Sequence, residues 1–364
     1  MPHLTEQPMY DPALPYADNY NSGPFGAYAD LTAVKTTASP KFTFLGHPIN
    51  SPFGIPAGPL LNAKYVTAAL RKGYDIVTYK TQRSTIFEVN AFPNVLYVDV
   101  DGDLTLDKAA TPLIGHTQTD ADPKDLTITN SFGMPSTGPA NWVPDLQAAI
   151  ASAGDGQIVV MSVVGTIKPG FTPEDYYNDF AEVAKMAADA GAQVIEVNLS
   201  CPNVASEGVL CYTPAAVGEI AKRAKIAIGD LPLLTKIGYF AEDQQELLET
   251  VVKAMAPYVS GISAINTIPA PVVDETGEQA LPGPNRLKSG MCGAGIKWAG
   301  LDMTRRLSGI RDKLNLTYEI IGVGGVMTAA DYHEYRDAGA DIVQSATGAM
   351  WNAGLAQEIK QSGL

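Results

Sequence analysis

The chain has 364 residues, of which 46% are hydrophobic and 18% are charged, and its formal net charge is −14. This composition is typical of a globular protein with a large core, and the negative charge argues against binding to nucleic acids or anionic membranes. The three cysteines, Cys201, Cys211 and Cys292, lack metal-ligand spacing, so we expect no metal site and a reducing, cytoplasmic location.

Residues 1–40 are rich in Pro, Tyr, Asn and Asp and contain neither the basic nor the apolar part of a signal peptide. We expect this segment to form an irregular arm. No apolar run in the sequence approaches the ~18 residues of a membrane span. The alternating residues 41–47 predict a small hairpin, and residues 41–364 are expected to form one domain.

Short apolar runs alternate with helical patterns through the rest of the chain. The eight predicted strands are 53–57, 75–79, 157–161, 194–198, 231–235, 261–265, 317–321 and 341–344. The predicted helices are 63–72, 141–153, 172–190, 213–228, 241–256, 301–314, 328–338 and 350–361. Eight such units predict an α/β fold of the (β/α)8 TIM-barrel type with extended loops, notably 81–130 and the Gly/Pro-rich loop up to Gly300. A doubly wound open sheet is the competing fold, but no GxGxxG turn follows the first strand.

The stretch Val194-Ile-Glu-Val-Asn-Leu-Ser-Cys-Pro-Asn203 changes abruptly from apolar to polar. Its β-branched start is typical of a buried strand, and Pro202 ends the strand because proline cannot donate to a sheet. The strand thus delivers two carboxamides, a hydroxyl and a thiol to its carboxyl end. A free cysteine is also often a small core residue, so Cys-Pro-Asn alone does not define a site.

Other predicted strands also end in polar or glycine residues. These residues are Ala57-Gly58, Lys80, Ser162, Lys236, Asn266-Thr267, Gly324-Gly325 and Ala346-Thr347. In a barrel the carboxyl ends of all strands meet on the face that carries the chemistry. The glycines after the seventh strand, with Ala346-Thr347 after the eighth, match the usual barrel phosphate site, although tight turns also favour glycine.

At these positions the sequence resembles the dihydroorotate dehydrogenases, flavoprotein barrels of pyrimidine biosynthesis. The resemblance spans residues 42 to 364. It is carried by Asn198-Leu-Ser-Cys-Pro-Asn203, Asn130-Ser-Phe-Gly-Met-Pro135, Lys236, Ser263-Ala-Ile-Asn-Thr267 and Ile321-Gly-Val-Gly-Gly325. Ser136 departs from the family, which usually continues Pro135 with asparagine.

The resemblance implies FMN-dependent oxidation of dihydroorotate to orotate, with hydride passing to flavin N5. Cys201 is implied as the base for the C5 proton, which is typical of the soluble class 1 enzymes, because the membrane-bound class uses serine. The implied substrate residues are Lys80, Asn130, Gly133, Met134, Asn198, Asn203, Asn266 and Thr267. The implied flavin-ring residues are Ala57, Gly58, Lys80, Thr81, Ser162, Asn198 and Lys236. Those implied at the flavin phosphate are Gly293, Gly324, Gly325, Ala346 and Thr347.

Class 1 membership also implies a homodimer. The second electron acceptor stays open between fumarate, NAD through an iron–sulfur partner subunit, and others; this chain has no cysteine cluster of its own for such a centre. Three other hypotheses also stay open. These are a dihydropyrimidine dehydrogenase-like flavoenzyme, an aldolase with a Schiff-base lysine at Lys80 or Lys236, and a barrel without catalytic activity.

Overall fold

The computed structural model describes residues 7–34, 40–200, 210–284 and 286–364. Its strands are β1 Phe42–Phe44, β2 His47–Ile49, β3 Phe53–Ile55, β4 Ile76–Gln82, β5 Ile86–Phe87, β6 Tyr97–Val98, β7 Leu113–His116, β8 Thr127–Asn130, β9 Ser136–Thr137, β10 Ile158–Val163, β11 Val194–Asn198, β12 Leu233–Ile237, β13 Gly261–Ala264, β14 Ile268–Val273, β15 Lys288–Gly293, β16 Glu319–Val323 and β17 Ile342–Gln344. Its α-helices are α1 Tyr16–Ser22, α2 Ala63–Arg71, α3 Leu106–Ala109, α4 Pro139–Ala151, α5 Pro173–Asp189, α6 Pro214–Ile228, α7 Gln245–Met255, α8 Lys297–Leu314, α9 Ala329–Asp337, α10 Thr347–Trp351 and α11 Leu355–Gln361.

Eight parallel strands close into a barrel in the order β3, β4, β10, β11, β12, β13, β16 and β17, and β17 pairs back with β3. Helices lie between successive strands, which confirms the predicted (β/α)8 architecture. Several helices begin with local signals that are visible in the sequence. Thr172 forms a capping box with Asp175, and Pro139, Pro173 and Pro214 stand in the first turns of their helices.

The predicted hairpin forms from β1 and β2, which pair antiparallel across a turn at Leu45 and Gly46. Phe44 and Ile49 are fully buried and pack in one cluster with Ile76, Ile158, Val194 and Ile342, the first residues of their barrel strands. The Leu45 amide donates to the Glu319 carboxylate at the start of β16 (2.9 Å). The hairpin therefore closes the amino-terminal end of the barrel with apolar side chains.

The two long connections are more ordered than the sequence predicts. Residues 81–130 contribute β6, β7 and β8, and the segment expected to be a Gly/Pro-rich loop up to Gly300 contributes β14 and β15. These five strands pair in a second closed ring, in which β7 and β14 are parallel and the other pairs are antiparallel. The expectation of an irregular loop from Thr267 up to Gly300 is therefore wrong, and α8 also begins earlier than predicted, at Lys297. The closing helix is divided into α10 and α11.

The arm, residues 7–34, is attached to the barrel by buried hydrogen bonds. The Met9 amide donates to the Met350 carbonyl (2.8 Å), and the Tyr28 hydroxyl donates to the Ala349 carbonyl (2.6 Å). Tyr65 on α2 donates to the Asn19 carbonyl (2.8 Å). These contacts fix the arm against α2 and α10.

Within the part of the chain that the structure describes, no helix is long and apolar enough to cross a membrane. Among the same residues, no cluster of three His, Cys, Asp or Glu side chains could hold a metal ion.

Candidate active site

A deep cleft opens at the carboxyl ends of the barrel strands, with about 1100 Å³ of space including its mouth. This size suits a small-molecule or cofactor site. Thirteen of the residues predicted for the site line it: Ala57, Gly58, Lys80, Thr81, Asn130, Gly133, Met134, Asn198, Lys236, Asn266, Thr267, Ala346 and Thr347. The barrel thus brings together residues from strands far apart in the sequence.

Four predicted residues lie next to the cleft lining rather than in it. Ser162 is fully buried beneath the cleft, where it is hydrogen-bonded to Thr81 (3.0 Å). Gly293 packs against the Leu126 backbone, Gly325 against Lys297 and Gly324 near the Tyr335 hydroxyl. Cys201 and Asn203 lie outside the described residues.

Lys80, near the end of β4, is 6% exposed and points into the cleft. Its ammonium donates to the Gly58 carbonyl (3.1 Å) and lies 4.7 Å from the centre of the Phe132 ring. Burial lowers the pKa of Lys80 to about 8. Among the described residues no carboxylate lies within ion-pair distance, so this cation is available to an anionic ligand.

Lys236 belongs to a row of side chains across three neighbouring strands. The pairing register places Asn198 beside Lys236 and Lys236 beside Ser263. The Lys236 ammonium donates to the Ser263 hydroxyl (3.3 Å). Burial lowers the pKa of Lys236 to about 8, against the opposing influence of Glu196 and Cys292.

Glu196 lies beneath this row and is 2% exposed. Its carboxylate accepts a hydrogen bond from Ser162 (2.9 Å), which in turn contacts Thr81 (3.0 Å). Burial raises the pKa of the Glu196 carboxyl, while Lys236 and Ser162 counteract that rise. A hydrogen-bonded chain therefore runs from a cleft-lining hydroxyl to a buried carboxylate.

The carboxamides at the strand ends form a connected group. The Asn198 side-chain oxygen accepts from the Ser200 amide (3.2 Å) and from the Asn266 side-chain amide (3.4 Å). Asn266 also donates to the Ser200 carbonyl. The hydroxyl oxygen of Thr267 is buried and has no hydrogen-bond partner among the described residues. Because unpaired buried hydroxyls are costly, this atom marks a place for a polar ligand group.

The 130–138 loop enters the cleft between these groups. Gly133 and Met134 both have left-handed backbone (φ 80° and 52°), which turns the chain sharply. Arg286 donates to the Ser131 hydroxyl (3.0 Å), and Arg83 donates to the Met134 carbonyl (3.0 Å). Two buried arginines thus hold the loop near both ends of its ligand-facing part.

Ser136, the residue that departs from the family pattern, does not line the cleft. Its hydroxyl accepts from the amides of Arg83 and Gly138 (3.2 Å each). It therefore stabilises the fold of the loop.

Sequence reasoning missed several residues at the site. Tyr10 from the arm, Phe132 and Cys292 all line the cleft, and Glu196 lies just below it. Glu196 carried a detectable signal, since a carboxylate within an apolar strand is rarely buried without a partner. Tyr10 and Phe132 gave none, because an aromatic residue in an irregular segment does not reveal what it contacts.

The residues of the cleft fit a flavin. A carbon added at the Gly58 Cα would meet no atom within 4 Å, so the backbone there leaves room for a flat ring. Lys236 supplies a buried cation to the same cleft that the Thr81 hydroxyl group lines. Such a cation can stabilise negative charge on a reduced ring.

The architecture and cleft define a (β/α)8-barrel protein with a small-molecule site at the carboxyl face of its strands. A family model described as "Dihydroorotate dehydrogenase" matches residues 111–362. A dihydroorotate dehydrogenase of Dictyostelium discoideum is 37% identical over 97% of this chain and 96% of that protein. The chain belongs to the dihydroorotate dehydrogenase family.

Two bacterial relatives match over part of their length. A putative dihydroorotate dehydrogenase A (fumarate) of Pediococcus pentosaceus is 33% identical over 55% of this chain and 62% of that protein. The catalytic subunit of a dihydroorotate dehydrogenase B (NAD(+)) of Exiguobacterium sibiricum is 32% identical over 52% of this chain and 57% of that protein. The crystal structure of DHODH in complex with ferulenol from Eimeria tenella aligns with a TM-score of 0.67 at 17% identity, covering 88% of this chain and 82% of that one. At that identity it supports the fold alone.

Proposed function

We propose that this protein oxidises (S)-dihydroorotate to orotate in pyrimidine (UMP) biosynthesis, with FMN as its cofactor. The observation that carries the proposal is the pair of buried lysines, Lys80 and Lys236, in one cleft with the amides of Asn130, Asn198 and Asn266. A ring that bears a carboxylate and several amide-like edges needs one cation and a mixture of donors and acceptors. The family membership of the chain favours this ring over a dihydropyrimidine.

Lys80 binds the carboxylate of the substrate in this proposal. It is buried and has no carboxylate partner among the described residues, so a ligand carboxylate relieves its desolvation. Asn130, Asn198 and Asn266 orient the ring by hydrogen bonds, and the unpaired Thr267 hydroxyl is one further polar group at the same cleft.

The residues around Gly58, Thr81 and Lys236 would hold the flavin ring, and Ala346 and Thr347 would lie toward its phosphate, with Gly293, Gly324 and Gly325 close by. FMN, when bound, accepts the hydride that leaves C6 of the substrate. The Lys236 ammonium, kept charged in part by Glu196, stabilises the negative charge that accompanies this transfer.

Cys201 takes the C5 proton in this proposal, which assigns the chain to the class 1, cysteine-dependent enzymes. Support comes from the motif Asn198-Leu-Ser-Cys-Pro-Asn203 and from the contacts of the preceding residue. Both backbone groups of Ser200 are hydrogen-bonded, to Asn198 and to Asn266. These contacts fix the backbone of Ser200, the last described residue before Cys201 in the sequence.

The class 1 assignment carries further proposals: a homodimer, a cytoplasmic location, and one FMN-binding domain over residues 41–364 with an arm at 1–40. The electron acceptor stays open between fumarate, NAD through a partner subunit, and others; fumarate and NAD(+) are the acceptors in the names of the two bacterial relatives.

Anaerobic titration with dihydroorotate tests the proposed function. The purified protein is expected to show flavin absorbance, and dihydroorotate is expected to bleach it stoichiometrically. Dihydrouracil is the matched ring without the carboxylate and should fail to bleach it. Bleaching by dihydrouracil but not by dihydroorotate would instead establish a dihydropyrimidine enzyme. Reoxidation with fumarate, NAD or a quinone then identifies the acceptor.

A further inference from the structure

The arm brings two tyrosine side chains into contact with Phe132, a residue that lines the cleft. Tyr10 is 2% exposed and lines the cleft directly. Its ring meets Phe132 edge-on, with centroids 5.4 Å apart and an interplanar angle of 88°. Tyr16, on α1, meets the same Phe132 ring at 5.8 Å and 62°. Phe132 therefore contacts two aromatic rings from the arm.

The Lys80 ammonium lies against this aromatic group. Its nitrogen is 4.7 Å from the Phe132 centroid and 5.8 Å from the Tyr16 centroid. Aromatic faces attract cations at such distances, most strongly where water is excluded. The other described contact of the ammonium is the Gly58 carbonyl.

We propose that the arm is a working part of the active site, in which Tyr16 and Phe132 form an aromatic support that keeps Lys80 charged and aimed at the substrate carboxylate. Tyr16 and Tyr10 are positioning residues in this scheme, since both act through Lys80 or Phe132. The inference rests on the proposed function, because it takes Lys80 as the group that binds the carboxylate.

Lys80 depends on the rings of Tyr16 and Phe132 because it has no charged partner among the described residues. Burial alone lowers the pKa of Lys80 to about 8, and no charged side chain among the described residues offsets it. Burial raises the pKa of both Tyr10 and Tyr16, so these rings stay neutral when Lys80 titrates. The neutral faces of Tyr16 and Phe132 thus replace the carboxylate that a buried ammonium normally has.

Loss of the Tyr16 ring should lower the pKa of Lys80 further. At about pH 6 the ammonium stays protonated in either protein, so orotate affinity should change little. At about pH 8.5 the Lys80 amine of the Tyr16→Leu variant must first gain a proton before it can bind the carboxylate. If the contact between Tyr16 and Lys80 has the usual free energy of a cation–π interaction, the dissociation constant for orotate should be about 2- to 30-fold higher at that pH.

Calorimetric titration of orotate into the FMN-loaded protein, at about pH 6 and about pH 8.5, tests this inference. Tyr16→Phe keeps the ring and should bind orotate like the parent at both pH values. Tyr28→Phe is the matched control, because it removes an arm hydrogen bond to Ala349 away from Lys80 and should not change the pH dependence. Phe132→Leu removes the other ring and should reproduce the pH-dependent loss, which keeps the test valid if Tyr16→Leu does not fold.

Equal affinity of the parent and Tyr16→Leu at both pH values would overturn the inference, as would a loss of the same size at both. If the parent fails to bind orotate, the proposed function itself fails. Parental binding that depends on Lys80 but not on the rings would leave the proposed function standing and remove only the role of the arm.

Discussion

Glu196 and Lys236 lie buried on adjacent strands of the barrel, and each shifts the protonation of the other. Glu196 is in register with Leu234, two residues before Lys236 on β12. The carboxylate counteracts the desolvation that lowers the pKa of Lys236 to about 8, and the lysine counteracts the burial that raises the pKa of Glu196. The cleft thus has a compensated pair of charges, of which Lys236 belongs to its lining and Glu196 lies buried behind it.

Glu196→Gln should lower the pKa of Lys236 further, because the amide keeps the size of the side chain but removes the charge that counteracts burial. A lysine with a lowered pKa is charged at low pH and loses its charge sooner as pH rises. Stopped-flow flavin reduction by dihydroorotate should therefore decline at a lower pH than in the parent. Glu319→Gln, which neutralises a half-buried carboxylate at the opposite end of the barrel, is the control and should leave the profile unchanged. An identical shift in both variants would argue against a specific pair.

Cys201→Ala should fold and retain FMN but reduce the flavin at least ~10²-fold more slowly, the lower end of what a general base contributes. Single-turnover absorbance measurements give this rate. Cys201→Ser should keep part of the activity and need higher pH, since a hydroxyl is a weaker acid than a thiol. Cys211→Ala is the control, because burial raises the pKa of that thiol to about 12 and makes it inert. Near-parental reduction by Cys201→Ala would remove Cys201 from the role of base.

Lys80→Ala should raise the KM for dihydroorotate roughly 10- to 150-fold, which corresponds to a charge-assisted hydrogen bond of about 1.5–3 kcal/mol. Steady-state kinetics with a saturating electron acceptor measure it. Lys185→Ala removes an exposed lysine that pairs with Asp189 and should leave KM unchanged. A KM for Lys80→Ala within a factor of two of the parent would place the carboxylate elsewhere.

Orotate should slow amide hydrogen exchange within the 130–138 loop, and most strongly at residues 132–134. The Ser131, Thr137 and Gly138 amides already donate to protein acceptors. No acceptor for the amides of residues 132–134 is found among the described residues, so a ligand can supply one. Mass spectrometry with and without saturating orotate measures the uptake. Unchanged uptake in peptides covering 130–138 would exclude the loop from the substrate site.

Arg286→Ala should destabilise the protein by about 1–3 kcal/mol, since it leaves several part-buried carbonyls without their charged donor. Its guanidinium donates to the carbonyls of Ala91, Pro93 and Pro282 (2.6–2.7 Å), which joins both long connections. Urea unfolding followed by fluorescence measures the change. Arg305→Ala, at an exposed position of α8, should shift the free energy of unfolding by less than about 0.5 kcal/mol. Equal free energies of unfolding for Arg286→Ala and the parent would show that Arg286 does not stabilise the contact between the two connections.

The sequence predicts the barrel well because its strands and helices obey local rules. β11 and β12 are fully buried strands whose residues are mostly apolar, and helices such as α5 begin with capping residues and proline. These signals need no knowledge of the neighbouring chain segments.

The second ring of strands could not be predicted in the same way. β14 contains Pro269 and Pro271, and β15 contains Gly290 and Gly293, residues that normally disfavour strands. Their pairing is imposed by tertiary contact with β8 and β7. The same contrast holds for the site. Strand-end residues such as Lys80 and Lys236 were predictable from local sequence, whereas the contact between Tyr16 and Phe132 arises only in the folded chain.

The hairpin of β1 and β2 has a consequence for proton movement. The apolar side chains of Phe44 and Ile49 fill the amino-terminal end of the barrel and exclude water there. Water therefore approaches Glu196 and Lys236 from the cleft. Their exchange of protons with solvent then depends on whether the cleft is occupied. A ligand that fills the cleft would therefore slow this exchange, so a change of pH made after the ligand binds should reach the two groups later than one made before.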